Sequence, residues 1–185
     1  MNFSVMKFKI PFLCLILPAL AACNSSLETT YADQSGKIET YVTKQVESHP
    51  EYRVVYNDGV VRMVVAEGEG EELSQGESIS IYYAGYNFSN STITANTLFA
   101  TNDADIAAAA KWDLTDPEEH FRPITITLGK DKLVRGLELG LDGVKYGEDC
   151  YIFFSGKYSF GKQQIGTIPA NAPICYHIHV EKPEN

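Results

Sequence analysis

From Pro123 to Gly161 the chain reads PITITLGKDKLVRGLELGLDGVKYGEDCYIFFSGKYSFG, and this stretch decides the fold. Pro123-Ile124-Thr125-Ile126-Thr127-Leu128-Gly129 alternates apolar and polar residues, the two-residue period of a strand with one buried face. Between Asp131 and Leu141 the period changes, and Leu133, Leu137 and Leu141 share one helical face at four-residue spacing. Gly136 interrupts this helix and Gly140 stops it, so it is short and stable only when packed. Cys150 to Ser155 returns to a strand, and a loop with Tyr158, Phe160, Gly161 and Ile168-Pro169 leads to a last strand, Ile174 to Val180. Strands gathered on one short helix, without regular crossover helices, predict an α+β roll with an antiparallel sheet rather than a doubly wound one.

Upstream the same logic supplies more strands. YRVVY and VVRMVVA, within Glu51 to Ala66, are separated by Asn57-Asp58-Gly59, a hairpin turn because both central positions can reach positive φ. The acidic, glycine-rich loop from Glu67 to Glu77 lacks the lysine-serine or lysine-threonine pair of a phosphate cradle. Ser78 to Ala84 alternates, with Ile79, Ile81 and Tyr83 on one face. Residues 86–122 read as irregular, with a short helix in DADIAAAAKWD that Asp103 or Asp105 could cap. Before the strands, Ile38, Val42 and Val46 form a thin stripe on a helix between Ala32 and Val46, started or interrupted near Gly36 and ended by His49-Pro50. That helix is expected to pack back on its own domain, which makes the protein a monomer.

At the N-terminus, Lys7 and Lys9 precede an apolar run from Ile10 to Ala22 that is short for a membrane span, the order of parts in a signal peptide. Leu20-Ala21-Ala22-Cys23 resembles the bacterial lipobox, which implies cleavage before Cys23 and acyl chains on its sulfur and amine, a stable anchor. The expected address is therefore the bacterial cell envelope, lipid-anchored and facing the periplasm or the exterior. The formal charge is −9 for the whole chain and −11 without residues 1–22. An acidic chain with no polybasic patch excludes sequence-independent nucleic-acid binding.

Motifs for covalent or metal chemistry are weak. No Gly-x-Ser-x-Gly elbow is present. Cys150 alternates with Ile152 and Phe154 and so belongs to the core, whereas Cys175 alternates with His177 and His179 and is expected to face outward. The two thiols then lie on opposite faces, and no disulfide between them is expected. His177, His179 and Glu181 share one strand face, but they read as solvated surface residues and not as a metal site. No cofactor and no metal are implied.

What remains is an apolar and aromatic set drawn from distant elements, and here the ordered motifs become specific. Tyr83-Ala84-Gly85, Leu128-Gly129-Lys130, Val134-Arg135-Gly136-x-Glu138-x-Gly140, Tyr158-x-Phe160-Gly161 and Ile168-Pro169, between about Val61 and Glu181, resemble the FKBP class of peptidyl-prolyl cis-trans isomerases. The resemblance implies a curled antiparallel sheet wrapped on a short α-helix, here with an N-terminal helix and a long inserted loop. It divides the chain into a signal peptide (1–22), a lipidated tether (23–31), a helical segment (32–50) and an FKBP-like domain (51–185) with an insertion at about 100–122.

By matching position it implies that Tyr83, Phe99, Val134, Phe160 and Tyr176 act on the substrate, with the Val134 N–H offered to a bound carbonyl. Ile124, Leu133, Leu137 and Ile168 would complete a proline-binding wall. Ile124 stands where the family usually carries a phenylalanine, and three further positions depart from it. Its Phe-Asp pair is Phe99-Ala100, its second tyrosine in the Tyr-x-Tyr-Gly motif is Phe160, and its tryptophan floor is Leu137. Two functions follow as expectations: isomerisation of proline-containing segments of exported proteins, or non-catalytic binding of peptides or a protein partner in the envelope. The insertion either folds over the cleft, with Trp112 refilling the space at Leu137, or packs locally around Trp112.

Overall fold

The computed structural model describes residues 18–113 and 118–184, with side chains from Ser26 onward apart from Glu118 and Glu119. The signal-like run before Pro18 lies outside the described residues, and the side chain of Cys23 does as well.

Among the described residues seven antiparallel strands form one sheet: β1 (Arg53–Asn57), β2 (Val60–Ala66), β3 (Ser78–Asn87), β4 (Leu98–Thr101), β5 (Ile124–Thr127), β6 (Asp149–Phe154) and β7 (Ile174–Glu181). Their order is β1-β2-β6-β7-β3, and the outer edge of β3 is shared, with β5 along Ser78–Ile81 and β4 along Ala84–Tyr86. The hairpin turn is as read from sequence, with Asp58 and Gly59 both at positive φ. β4 is a strand that the pattern of residues 86–122 did not reveal; it has only four residues and includes Ala and Thr among its few alternating positions.

One face of the sheet carries the main core, built from residues such as Val64, Ile79, Ile152, Phe154 and Ile178. Against it lies α3 (Arg135–Gly140), shorter than the Asp131–Leu141 pattern. Its two glycines explain its closeness. A Cβ on Gly136 would meet Phe154 Cγ at 2.2 Å, and one on Gly140 would meet Ile152 Cγ2 at 2.2 Å. The helix thus presents a smooth stripe to β6, and its glycines serve contact rather than interruption.

The C-terminal end of α3 is held by Arg62, which donates from Nη1 to the carbonyls of Gly140 (2.8 Å) and Asp142 (2.7 Å) and from Nη2 to Gly143 (3.1 Å). These carbonyls would otherwise be orphaned at the helix end. Arg62 is buried and balanced by the fully buried Glu148, 3.2 Å from its Nε. Burial raises the Glu148 carboxyl above its ordinary value, and the charges of Arg62 and Arg53 work against that rise.

The other face of the sheet is covered by α1 (Pro18–Ser48). Ile38 and Val42 are buried and Val46 is half-buried, which is the stripe read from sequence, and Tyr41 packs its ring on Phe88 and Phe153. The helix is longer than Ala32–Val46; Gly36 does not break it, and residues 23–31, read as a tether, are helical. Among the described residues no helix is long and apolar enough to cross a membrane.

The cover of α1 corrects the expectation for Cys175. The residue does share a face with His177 and His179, yet it is fully buried beneath α1 beside Phe153 and Tyr86. Only the far end of that face is open. There His177 Nε2 pairs with Asp149 Oδ1 at 2.8 Å and stacks on Tyr151, so the histidines are partnered rather than simply solvated. Cys150 and Cys175 are both free and lie in the two different cores.

Gly140→Ala is expected to destabilise the protein by about 1–3 kcal/mol, because forced overpacking outweighs the gain of up to about 1 kcal/mol in helix propensity. Urea unfolding checks this; an unchanged midpoint would show that α3 is not seated this closely.

Candidate functional site

β3, β4, α3 and the loop after β6 surround a cleft of about 420 Å³. Ile81, Leu137 and Ile178 lie at its base. Tyr83, Phe99, Phe160 and Tyr176 form aromatic walls, and Ile124, Leu133, Ile165 and Ile168 contribute aliphatic ones. Phe99 stands edge-on to both Phe160 (6.1 Å between ring centroids) and Tyr176 (5.8 Å). Gly85 makes this packing possible: a Cβ there would meet Phe99 Cζ at 2.6 Å and Tyr176 Cε1 at 2.9 Å.

Eight of the nine cleft residues expected from sequence line this one cavity. The ninth, Val134, packs nearby and caps α3 with φ −63° and ψ 138°. Its carbonyl accepts from Leu137 and Glu138, while among the described residues no acceptor takes its own N–H. Ala100 also lines the cavity, where it offers a methyl group and no polar atom. Ile124 and Ile165 are 44 % and 48 % exposed, which extends the apolar wall onto the rim.

Three residues outside the sequence-derived set hold the walls in place. Asn102, 2 % exposed, fills the gap between β5 and β4 on the edge of β3. Its Oδ1 accepts from the Tyr83 N–H (2.6 Å), and its Nδ2 donates to the carbonyls of Ile81 (3.0 Å) and Arg122 (2.8 Å). The side chain therefore replaces a missing strand and ties together the two ends of the insertion. The available signal was a polar residue directly after a strand with buried positions, a place where unpaired backbone needs a partner.

Gln34 and Tyr31 of α1 act on the opposite side. Gln34 Oε1 accepts from the Gly156 N–H (2.7 Å), its Nε2 donates to the Asn171 carbonyl (2.9 Å), and the Tyr31 hydroxyl donates to Asn171 Oδ1 (2.8 Å). Gly156 is required there, since a Cβ would lie 2.0 Å from the Asn171 oxygen. The loop so clasped carries Phe160 and, through a tight turn closed by Ile165 and Ile168 backbone bonds, the rim itself. A helix–loop contact more than a hundred residues apart in sequence leaves no local pattern to read.

The insertion does not close over the cavity through its helix. α2 (Ala104–Ala109) is capped by Asp103, and Ile106, Ala110 and Trp112 pack on the second core beneath the other face. Trp112 is thus a local anchor and does not refill space at Leu137. Among the described residues no group of three or more His, Cys, Asp or Glu side chains is placed to hold a metal ion.

Comparison with known proteins agrees with this architecture. A family model described as "FKBP-type peptidyl-prolyl cis-trans isomerase" matches residues 70–181, over half of the chain. The chain belongs to the FKBP family. The "FK506-binding protein 1" of Aspergillus oryzae is 23 % identical over 124 residues, which cover 67 % of this chain and 97 % of that protein. A "Peptidyl-prolyl cis-trans isomerase" of Saccharomyces cerevisiae is 20 % identical over 82 % of this chain, but the match spans only 32 % of the yeast protein. Among solved structures, FkpA from Escherichia coli is 18 % identical with a TM-score of 0.52, covering 88 % of this chain and 65 % of that one. The structure of the three FKBP domains of wheat FKBP73 is 16 % identical, also with a TM-score of 0.52, over 70 % of this chain and 49 % of that one. These structural likenesses show the FKBP fold.

Gln34→Ala is expected to loosen the loop without unfolding the sheet. Amide hydrogen exchange should rise at least severalfold at Gly156 and across residues 161–171 while β6 and β7 stay protected; uniform protection in the variant would mean that the clasp does not restrain the rim.

Proposed function

We propose that this chain is a prolyl isomerase that assists the folding of exported proteins, binding their X-Pro segments in the cleft between β3, α3 and the loop after β6. The observation that carries the reading is the convergence of eight family-matched side chains on one apolar cavity with no charged group in its lining. The chemistry needs no nucleophile. An X-Pro bond isomerises by twisting out of amide resonance over a barrier of roughly 20 kcal/mol. The twisted amide is less dipolar than the planar one, so an apolar wall lowers its desolvation cost relative to the ground state. Leu137, Phe99 and Tyr176 would hold the prolyl ring while the preceding carbonyl turns, which favours the transition state over the substrate.

The Val134 N–H, which has no acceptor among the described residues, would supply a donor beside this wall, in the role that the family resemblance gives it. Cys23 would carry the lipid that holds the domain at the bacterial envelope, and the helical segment that follows would set its standoff. Because α1 spends its apolar stripe on its own sheet, the domain would act as a monomer.

A second reading, a peptide- or protein-binding module without turnover, is favoured by Ala100, Phe160 and Leu137. Each removes a polar or aromatic contact from the family's cleft.

Catalysed cis-to-trans relaxation of a succinyl-Ala-Leu-Pro-Phe peptide, paired with refolding of a proline-limited protein, separates the two readings. Acceleration by the wild-type protein is expected, together with binding of the peptide; binding without acceleration in either assay would leave the second reading standing. Val134→Pro is a selective control, since φ is already −63° and the lost N–H has no acceptor among the described residues. It should weaken peptide binding about two- to tenfold while leaving the unfolding midpoint in place. Cys23→Ser should move the full chain from the membrane to the soluble fraction of a bacterial host; retention on membranes would overturn the lipid assignment.

A further inference from the structure

The cleft contains little polar side-chain chemistry. Of its lining residues only Tyr83, Thr167 and Tyr176 carry a polar side-chain atom, and Thr167 stands on the exposed tip of the rim turn. The two tyrosines project from adjacent strands. Tyr176 of β7 lies opposite Gly85 of β3, and Tyr83 is two residues along β3 on the same face, so the pair are diagonal neighbours with ring centroids 6.4 Å apart.

Neither phenol hydroxyl has a hydrogen-bond partner among the described residues. Nor is either oxygen sealed in the protein: among the described residues the wholly buried polar side-chain atoms without a hydrogen bond are Arg62 Nε and the two Glu148 oxygens, which face each other as an ion pair. Neither tyrosine oxygen is therefore wholly buried, and both side chains line the cleft. Two unpaired donors in an apolar wall are costly to dehydrate unless the ligand supplies an acceptor. Proline lacks an amide hydrogen, so the polar atoms an X-Pro segment can offer beside its ring are carbonyl oxygens.

We propose that the hydroxyls of Tyr83 and Tyr176 together receive the carbonyl of the residue preceding the bound proline, as a donor pair that takes the place of the polar atoms absent at Ala100 and Phe160. The assignment rests on the cleft being the peptide site. Ala100 leaves no carboxylate to occupy the Tyr83 hydroxyl, and Phe160 contributes a ring edge without a donor. Burial raises both phenols above the ordinary tyrosine value, and the proximity of Tyr83 raises Tyr176 further. Both hydroxyls therefore stay protonated and act as donors throughout the neutral range. Twisting turns this carbonyl and lowers the charge on its oxygen, so the hydrogen bonds are strongest to the planar amide; they tighten substrate binding without lowering the barrier, and the pair contributes through KM.

The test uses the full chain and a succinyl-Ala-Leu-Pro-Phe peptide carrying 13C at the carbonyl before proline. Wild type, Tyr83→Phe, Tyr176→Phe and Tyr176→Phe/Phe160→Tyr are compared by calorimetry, by infrared spectroscopy of the bound peptide and by urea unfolding. Each single variant is expected to weaken binding about two- to tenfold with an unchanged unfolding midpoint. The labelled carbonyl band should move to higher wavenumber when a donor is lost, and where turnover is measured KM should rise while kcat does not fall. Restoring a hydroxyl at Phe160 should recover part of the affinity lost in Tyr176→Phe. Equal affinity and an unmoved carbonyl band in both single variants, with wild type binding the peptide, would overturn the donor pair alone. Failure of wild type to bind the peptide at all would overturn the cleft reading and the donor pair with it.

Discussion

The structure depends on how closely a six-residue helix approaches one strand. α3 has too few residues to be stable in isolation, so its geometry is dictated by what it touches. Gly136 and Gly140, one turn apart, remove the side chains that would hold it away from Phe154 and Ile152. Arg62 then fastens its last carbonyls from the neighbouring strand β2. With the helix fixed at that distance, Leu137 reaches the cleft floor, Leu133 reaches its wall, and the Val134 N–H is left without a partner among the described residues. A bulkier residue at either glycine would lift the whole wall.

The remaining walls are positioned from their ends. Asn102 closes the neck of the insertion and completes the edge of β3, so the aromatic side chains on β3 and β4 keep their spacing even though neither β4 nor β5 spans that edge. Gln34 fastens the opposite rim to α1, which means that the segment following Cys23 is mechanically continuous with the loop carrying Phe160 and Ile168. The same helix buries the second sheet face. Burial and restraint of the rim thus come from one element, and the helical segment and the sheet domain cannot be treated as independent units.

This arrangement explains which parts could be read from the sequence. Period-two alternation identified β3, β5, β6 and β7 because each has one face in the main core, and the four-residue spacing of Leu133, Leu137 and Leu141 identified the central helix. The cleft residues became legible through ordered motifs, since no local pattern distinguishes a wall such as Ile168 from ordinary core. Cys175 was misread because alternation assigns a residue to a face, while burial of that face depends on a helix more than a hundred residues away in sequence. Arg62 carries a signal of its own: it alternates with Val60 and Val64, and a charge in the inward set of an apolar strand demands both a counter-charge and acceptors. Glu148 and the carbonyls at the end of α3 meet that demand, and they lie too far along the chain to be paired by inspection.

The polar economy of the cleft follows from the same physics. A buried charge at Arg62 is tolerated because three carbonyls accept from its Nη atoms and the Glu148 carboxylate stands beside its Nε as a counter-charge, and it works as a structural fastener. The cleft contains no comparable charge; its polarity is confined to hydroxyls and backbone N–H groups that cost little to desolvate when a carbonyl meets them. Replacing the family's carboxylate by Ala100 and its second tyrosine by Phe160 moves the cavity further in that direction without emptying it, because Phe99, Phe160 and Tyr176 still brace one another edge to face. Gly85 is what permits that bracing, so the glycine of the Tyr-Ala-Gly motif belongs to the cleft as much as the tyrosine does. The departures from the family therefore alter which atoms can greet a carbonyl, while the shape that would hold a prolyl ring is preserved by contacts those departures leave intact.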